Sequence, residues 1–146
     1  PNKALGLTGV RGAYAIAPAP AVADARALDG LAPSWVLGAH AVAMLTAWVS
    51  PDAQAWLAHS RLQLSDWRVS LRERLADCGW LGLPSDANYF CAAPPRPLDA
   101  AALRAVGIKL RDTTSMGLPG HWRLGVLPPA AQDALHAALR QQEVAA

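Results

Sequence analysis

An apolar stripe between residues 64 and 78 constrains this chain more than any other feature. Leu64, Trp67, Leu71, Leu75 and Cys78 recur at spacings of three and four, while Arg68, Arg72, Glu73 and Asp77 lie off the stripe. That period is one face of an α-helix, and it needs a partner surface along its length. Ser50-Pro51-Asp52 gives the start signal, with Ser50 at the cap and Pro51 at the first helical position. Gly79 gives the stop, as a residue that takes positive φ without steric cost. A helix over 51–78 is expected, and the residues after it have to cover its stripe.

After Gly79 the texture shifts to short segments. Ala87 to Ala93 reads as a strand, Leu98-Asp99 opens a short helix through Val106, and Gly107 stops it. Ile108 to Arg111 alternates like a strand, and Thr113 to Gly120 is a loop rich in Gly, Ser, Thr and Pro. Trp122 to Leu127 reads as another strand. Pro128-Pro129 starts a last helix whose Ala131, Leu135, Ala138 and Leu139 share a face. This order predicts an α+β layer, with helices packed on a small sheet.

Ahead of Ser50 the signals are shorter. Ala13 to Ala17 is apolar without alternation and closed by Pro18, which suits a buried strand. Residues 21–29 read as a short helix with Asp24, Arg26 and Asp29 outward. Ser34 can cap a buried helix from Trp35 to Val49. The chain as a whole reads as α/β class in three parts: 1–50, a long helix over 51–78, and a small α+β domain over 79–146.

Composition closes off several classes. The chain is 53% hydrophobic and 16% charged, which excludes a disordered segment. Its net charge of +2 is scattered rather than gathered in a stripe, so no nucleic-acid partner is expected. The run Trp35 to Val49 is too short to span a bilayer, so no membrane is expected either. Cys78 and Cys91 form neither a disulfide framework nor a C-x-x-C pair, and read as reduced thiols of a cytoplasmic protein. His40, His59, His121 and His136 lack metal-site spacing, so no metal is expected. Arg61, Arg68, Arg72 and Arg74 read as solvated helix positions. The six tryptophans read as core or dimer-interface residues.

The chemistry is concentrated at the start, in Lys3-Ala4-Leu5-Gly6-Leu7-Thr8-Gly9-Val10-Arg11-Gly12. Glycines recur every three residues after a lysine, and an arginine precedes the last of them. Glycines let a backbone approach another group closely, and a guanidinium matches phosphate oxygens. The order is neither a Walker loop nor a dinucleotide fingerprint. The abrupt opening inside a loop, without an initiator methionine, is expected to mark a truncated chain.

This stretch, continued through Ala13-Tyr14, resembles the cofactor-lysine motif of the fold-type-I aminotransferase class I/II family. It is similar in particular to the branch containing histidinol-phosphate aminotransferase and the threonine-phosphate decarboxylase of cobalamin biosynthesis. Arg111 through Leu124 resembles the family's small-domain segment, and Ala87-Asn88-Tyr89-Phe90 its entry strand. The resemblance implies that Lys3 bonds pyridoxal 5′-phosphate (PLP), that Arg11 binds the cofactor phosphate, and that Arg123 grips the substrate α-carboxylate. It implies a homodimer, with residues 1–50 closing a large cofactor-binding domain. Asn2 stands where the family often has serine, which leaves a phosphate contact there unsupported. The resemblance also places the aspartate for the pyridinium nitrogen, the ring-stacking aromatic and a phosphate-binding helix N-terminus ahead of Pro1. The isolated 146 residues are therefore expected to be inactive. A non-catalytic folding or dimerisation module is the reading from a different class.

Overall fold

The computed structural model describes residues 1–144. It forms two compact units, Pro1–Ser60 and the residues from Arg61 onward, so the division falls within the long helix. Mixed helices and a small antiparallel sheet give the expected α/β class.

The first unit holds a turn-rich loop over 1–12, then α1 (Val22–Gly30), α2 (Ala39–Trp48) and the start of α3 (Pro51–Asp77). Its buried apolar residues are Ala41 and Met44, both on α2. Gly12 rests on that face: a Cβ there would lie 2.8 Å from the Ala41 Cβ and 3.4 Å from the Met44 Cε. Any larger residue would lift the loop off α2.

Two expectations fail in this unit, for the same reason. Ala13 to Ala17 forms no strand, and Tyr14 and Ile16 are 59% and 86% exposed. An unalternating apolar run becomes a strand only when ladder partners and cover exist on both sides, and the described residues supply neither. The helix expected from Trp35 begins instead at Ala39, with Gly38 as its N-cap, and Trp35 is 91% exposed. Without a surface to bury Trp35 and Val36, nothing offsets the entropy of ordering that extra turn.

In the second unit the stripe does what its spacing requires. Leu71, Leu75 and Cys78 are buried, and Leu64 and Trp67 pack against the same core. Ser50 Oγ accepts the Ala53 N–H at 3.2 Å, capping α3 as expected. At the other end Gly79 takes φ +73°, the Trp80 N–H donates to Leu75 O at 2.9 Å, and the Gly79 N–H to Ala76 O at 2.8 Å. This Schellman arrangement turns Trp80 back into the core beside Leu75.

The sheet has four strands: β1 (Leu81–Gly82), β2 (Tyr89–Ala93), β3 (Arg111–Asp112) and β4 (Trp122–Gly125). They run in the order β1-β2-β4-β3, all antiparallel. Phe90 and Ala92 of β2 and Leu124 of β4 face the core, where α3, α4 (Ala100–Ala105) and α5 (Pro129–Val144) supply Leu71, Leu103, Leu135 and Leu139. Asp99 caps α4 by accepting the N–H groups of Ala101 and Ala102. The strand expected over Ile108 to Arg111 begins only at Arg111. Ile108 and Leu110 spend their alternation on packing against the core, and the ladder with β4 starts after them.

Three arginines expected to be solvated are bonded. Arg68 donates to Ser85 O at 2.9 Å. Arg72 donates to Leu83 O at 2.8 Å and Gly82 O at 3.2 Å while lying 5.1 Å from the Phe90 ring centroid. Arg74 pairs with Asp133 of α5. Spaced four apart, Arg68 and Arg72 fasten α3 to the β1–β2 connection, and their stems add apolar cover.

The loop between β3 and β4 is tightly tied. Thr113, with no exposed surface, has its hydroxyl 2.7 Å from Leu118 O and 2.8 Å from His121 O. Its own N–H donates to His121 O at 3.2 Å, and its carbonyl accepts the N–H groups of Met116 and Leu118. Beside it, hydrogen bonds from the Thr114 side chain and the Thr114 N–H (2.6 Å) hold the Asp112 carboxyl below its ordinary value of 3.8.

Two outcomes follow from these contacts. Gly79→Ala forces a side chain into a left-handed position, with its Cβ 3.3 Å from Pro95 Cγ. Chemical denaturation is expected to show a loss of about 1–2 kcal/mol. Gly125→Ala, which meets only open space, should stay within about 0.5 kcal/mol. Because the Asp112 carboxyl is lowered on folding, its contribution to stability is present above 3.8 and is lost as pH falls through the folded-state value. Carboxyl NMR should place its midpoint below 3.8, and Thr114→Ala should move that midpoint upward.

Candidate functional site

The first candidate site is the loop that begins the chain. Consecutive turns wind it tightly: the Leu5 N–H donates to Pro1 O at 3.0 Å, Leu7 to Asn2 O at 2.7 Å, and Val10 to Leu7 O at 3.0 Å. Gly6 takes φ +70°, which only glycine adopts freely. The Asn2 side chain accepts the Lys3 N–H at 2.9 Å, so Asn2 serves the turn itself. Lys3 and Arg11 therefore sit at opposite ends of one folded loop, and Gly12 fixes the Arg11 end against α2.

Both side chains are exposed. Among the described residues neither the Lys3 ammonium nor the Arg11 guanidinium has a hydrogen-bond or ion-pair partner. A primary amine and a planar guanidinium on one loop are the donor set that suits a ligand carrying a carbonyl and a phosphate. The residues present thus fit the cofactor that the resemblance implies.

The second candidate site lies on the face of the sheet turned away from the core. Strand alternation sends Phe90, Ala92 and Leu124 inward, and therefore Tyr89, Cys91 and Arg123 outward. Arg123 is half-buried, directly opposite Cys91 on β2, with its guanidinium 5.0 Å from the Tyr89 ring centroid. That contact is worth about 0.5–1 kcal/mol at an exposed position. More usefully, it restricts where the guanidinium can point.

On its other side Arg123 is paired in register with Arg111 of β3. Residues opposite each other in an antiparallel ladder leave the same face about 4.5–5.5 Å apart at Cα. Like charges in that position are destabilising. Among the described residues neither guanidinium has an ion-pair partner. Two arginines that leave one face of the sheet from opposed positions, neither with an ion-pair partner, are the kind of donor set that suits an oxyanion with several acceptor oxygens.

Sequence reasoning singled out Lys3, Arg11 and Arg123; it passed over Arg111 and Tyr89 as functional residues. The structure puts Lys3 and Arg11 on one loop of the first unit and Arg123 on the sheet of the second. His121, though near Arg123 in sequence, has Nδ1 3.1 Å from Pro119 O and is folded into its own loop. Among the described residues no three His, Cys, Asp or Glu side chains gather as a metal-binding cluster. None of their helices is long and apolar enough to cross a membrane.

The fold is shared with two proteins of solved structure. A candidate aminotransferase from Burkholderia pseudomallei K96243 superposes with a TM-score of 0.68 at 22% identity, covering 80% of this chain and 36% of its own. A decarboxylase from Sulfurospirillum multivorans superposes with a TM-score of 0.79, also at 22% identity, covering 93% of this chain and 40% of its own. These likenesses establish a shared fold, and the chain spans well under half the length of either protein. The sequence model of the family described as aminotransferase class I and II matches residues 2–140, from the residue before Lys3 to the last turns of α5. With the match running through nearly every described element, this chain belongs to the aminotransferase class I and II family.

Proposed function

We propose that the chain is part of a PLP-dependent aminotransferase of the histidinol-phosphate type, acting on an amino acid or an amino-phosphate. The observation that carries this reading is the family match over 2–140, which takes in Lys3, Arg11 and Arg123 in order. PLP, when bound, supplies an electron sink for the bonds at the substrate Cα. The residues of this chain hold and orient. Lys3 would be the covalent anchor, and its Nζ would carry the proton removed from the substrate Cα. Arg11 takes the cofactor phosphate, and Arg123 grips the substrate carboxylate so that the Cα–H bond is held in line for removal.

Arg111 sharpens the substrate class. With Arg111 paired to Arg123, the same site could take a phosphate in place of the carboxylate, which favours an amino-phosphate among the substrates. In the same reading residues 1–50 complete a large cofactor-binding domain, 51–78 connect, and 79–146 form the small domain. The enzyme would be a cytoplasmic homodimer, and the exposed Ile16, Leu31, Trp35 and Val49 of the first unit offer apolar surface for the rest of the large domain or a second subunit to cover.

Decarboxylation of a threonine phosphate is the second reading, favoured by the fold shared with a decarboxylase over 93% of this chain. It uses the same residues, and measuring keto-acid formation against carbon dioxide release separates the two. Lys3→Ala is expected to abolish the absorbance of bound PLP in the complete protein and to cut turnover by about 10²–10⁴ or more. Absence of that absorbance in the unaltered protein would sink both readings. Arg123→Gln is expected to raise KM about 10- to 100-fold, and Arg123→Lys to recover little of it, since the fork geometry is lost.

A further inference from the structure

We infer that Thr113 is the positioning residue that keeps the Arg111–Arg123 pair in register for a phosphate-bearing ligand. This rests on the reading of that pair as an anion site. β3 is only two residues long, sits at the sheet edge and has β4 as its sole ladder partner. Its pairing with β4 sets two positive charges opposite each other at Arg111 and Arg123. With no anion present their repulsion pushes the strands apart, and a two-residue ladder resists weakly.

Thr113 supplies the missing restraint. It follows β3 directly, and every polar group it has is engaged. Its N–H donates to His121 O at 3.2 Å, extending the ladder by one rung past the Asp112–Trp122 pair. Its carbonyl accepts from Met116 at 2.9 Å and Leu118 at 3.2 Å. Its one hydroxyl proton is shared between Leu118 O at 2.7 Å and His121 O at 2.8 Å. The hydroxyl thus ties the middle of the loop to its end, and complete burial shields those bonds from water. No other residue of the 113–121 loop is buried. Weakening this tie lowers the fraction of molecules in which both guanidiniums face one ligand, and affinity falls by that fraction.

Thr113→Val removes the hydroxyl at nearly constant shape, and Thr113→Ser restores it. The test is titration of the intact protein with inorganic phosphate, which spans both guanidiniums, and with acetate, which one guanidinium can hold. The expected result for Thr113→Val is phosphate affinity about tenfold weaker, the scale of one lost buried hydrogen bond. Acetate affinity should be unchanged, and Thr113→Ser should match the unaltered protein on both probes. Unchanged phosphate affinity in Thr113→Val would overturn the positioning role while leaving the pair as an anion site. Equal loss of both probes would overturn it too, since general damage to the fold would then account for the effect. If Arg111→Gln leaves phosphate affinity unaltered, the reading of the pair fails and the inference falls with it.

Discussion

The pairing of β2 with β4 is the contact on which the rest of the second unit depends. Four residue pairs run from Tyr89 opposite Gly125 to Ala92 opposite Trp122. Strand alternation then divides the consequences between two faces. Phe90, Ala92 and Leu124 are driven inward, where the stripe of α3 and the apolar face of α5 cover them. Tyr89, Cys91 and Arg123 are driven outward by the same geometry. A slip of one residue would bury Arg123 and expose Leu124, so the hydrophobic core holds the arginine at its post.

Around that contact the chain spends its polar groups on holding edges in place. Arg68 and Arg72 reach from α3 to the carbonyls of Ser85, Leu83 and Gly82, which steadies the β1 edge. At the opposite edge Thr113 closes the loop after β3. Gln132 of α5, almost fully buried, donates to Trp67 O at 3.0 Å and Leu127 O at 2.8 Å, joining α5 to α3 and to the segment after β4. The sheet that carries Arg123 is therefore tied by hydrogen bonds from behind and at both edges.

What could be read in the sequence was what depends on near neighbours. The stripe from Leu64 to Cys78, the Ser50 cap and the Gly79 stop are all local in origin, and all stand in the structure. The misreadings share a different cause, because each turned on a partner distant in the chain. Ala13 to Ala17 has the pattern of a buried strand and nothing among the described residues to pair with. Ile108 and Leu110 alternate, but in service of the core instead of a ladder. Arg72 sits off the apolar stripe and still bonds, because the β1–β2 connection folds back over α3. Arg111 was out of reach for the same reason: only the register of β3 on β4 reveals its neighbour. Lys3 and Arg11 were singled out by spacing and resemblance, and the structure adds the tight turns between them and the Gly12 contact that fixes one end.

In the proposed function the cofactor amine belongs to Lys3. The chain has two lysines, Lys3 and Lys109, so the question has a clean answer. Loading the complete protein with PLP, reducing it with borohydride and mapping its peptides by mass spectrometry reads out the attachment point directly. The added cofactor mass is expected on the peptide that carries Lys3. Attachment at Lys109, or at neither lysine, would contradict it.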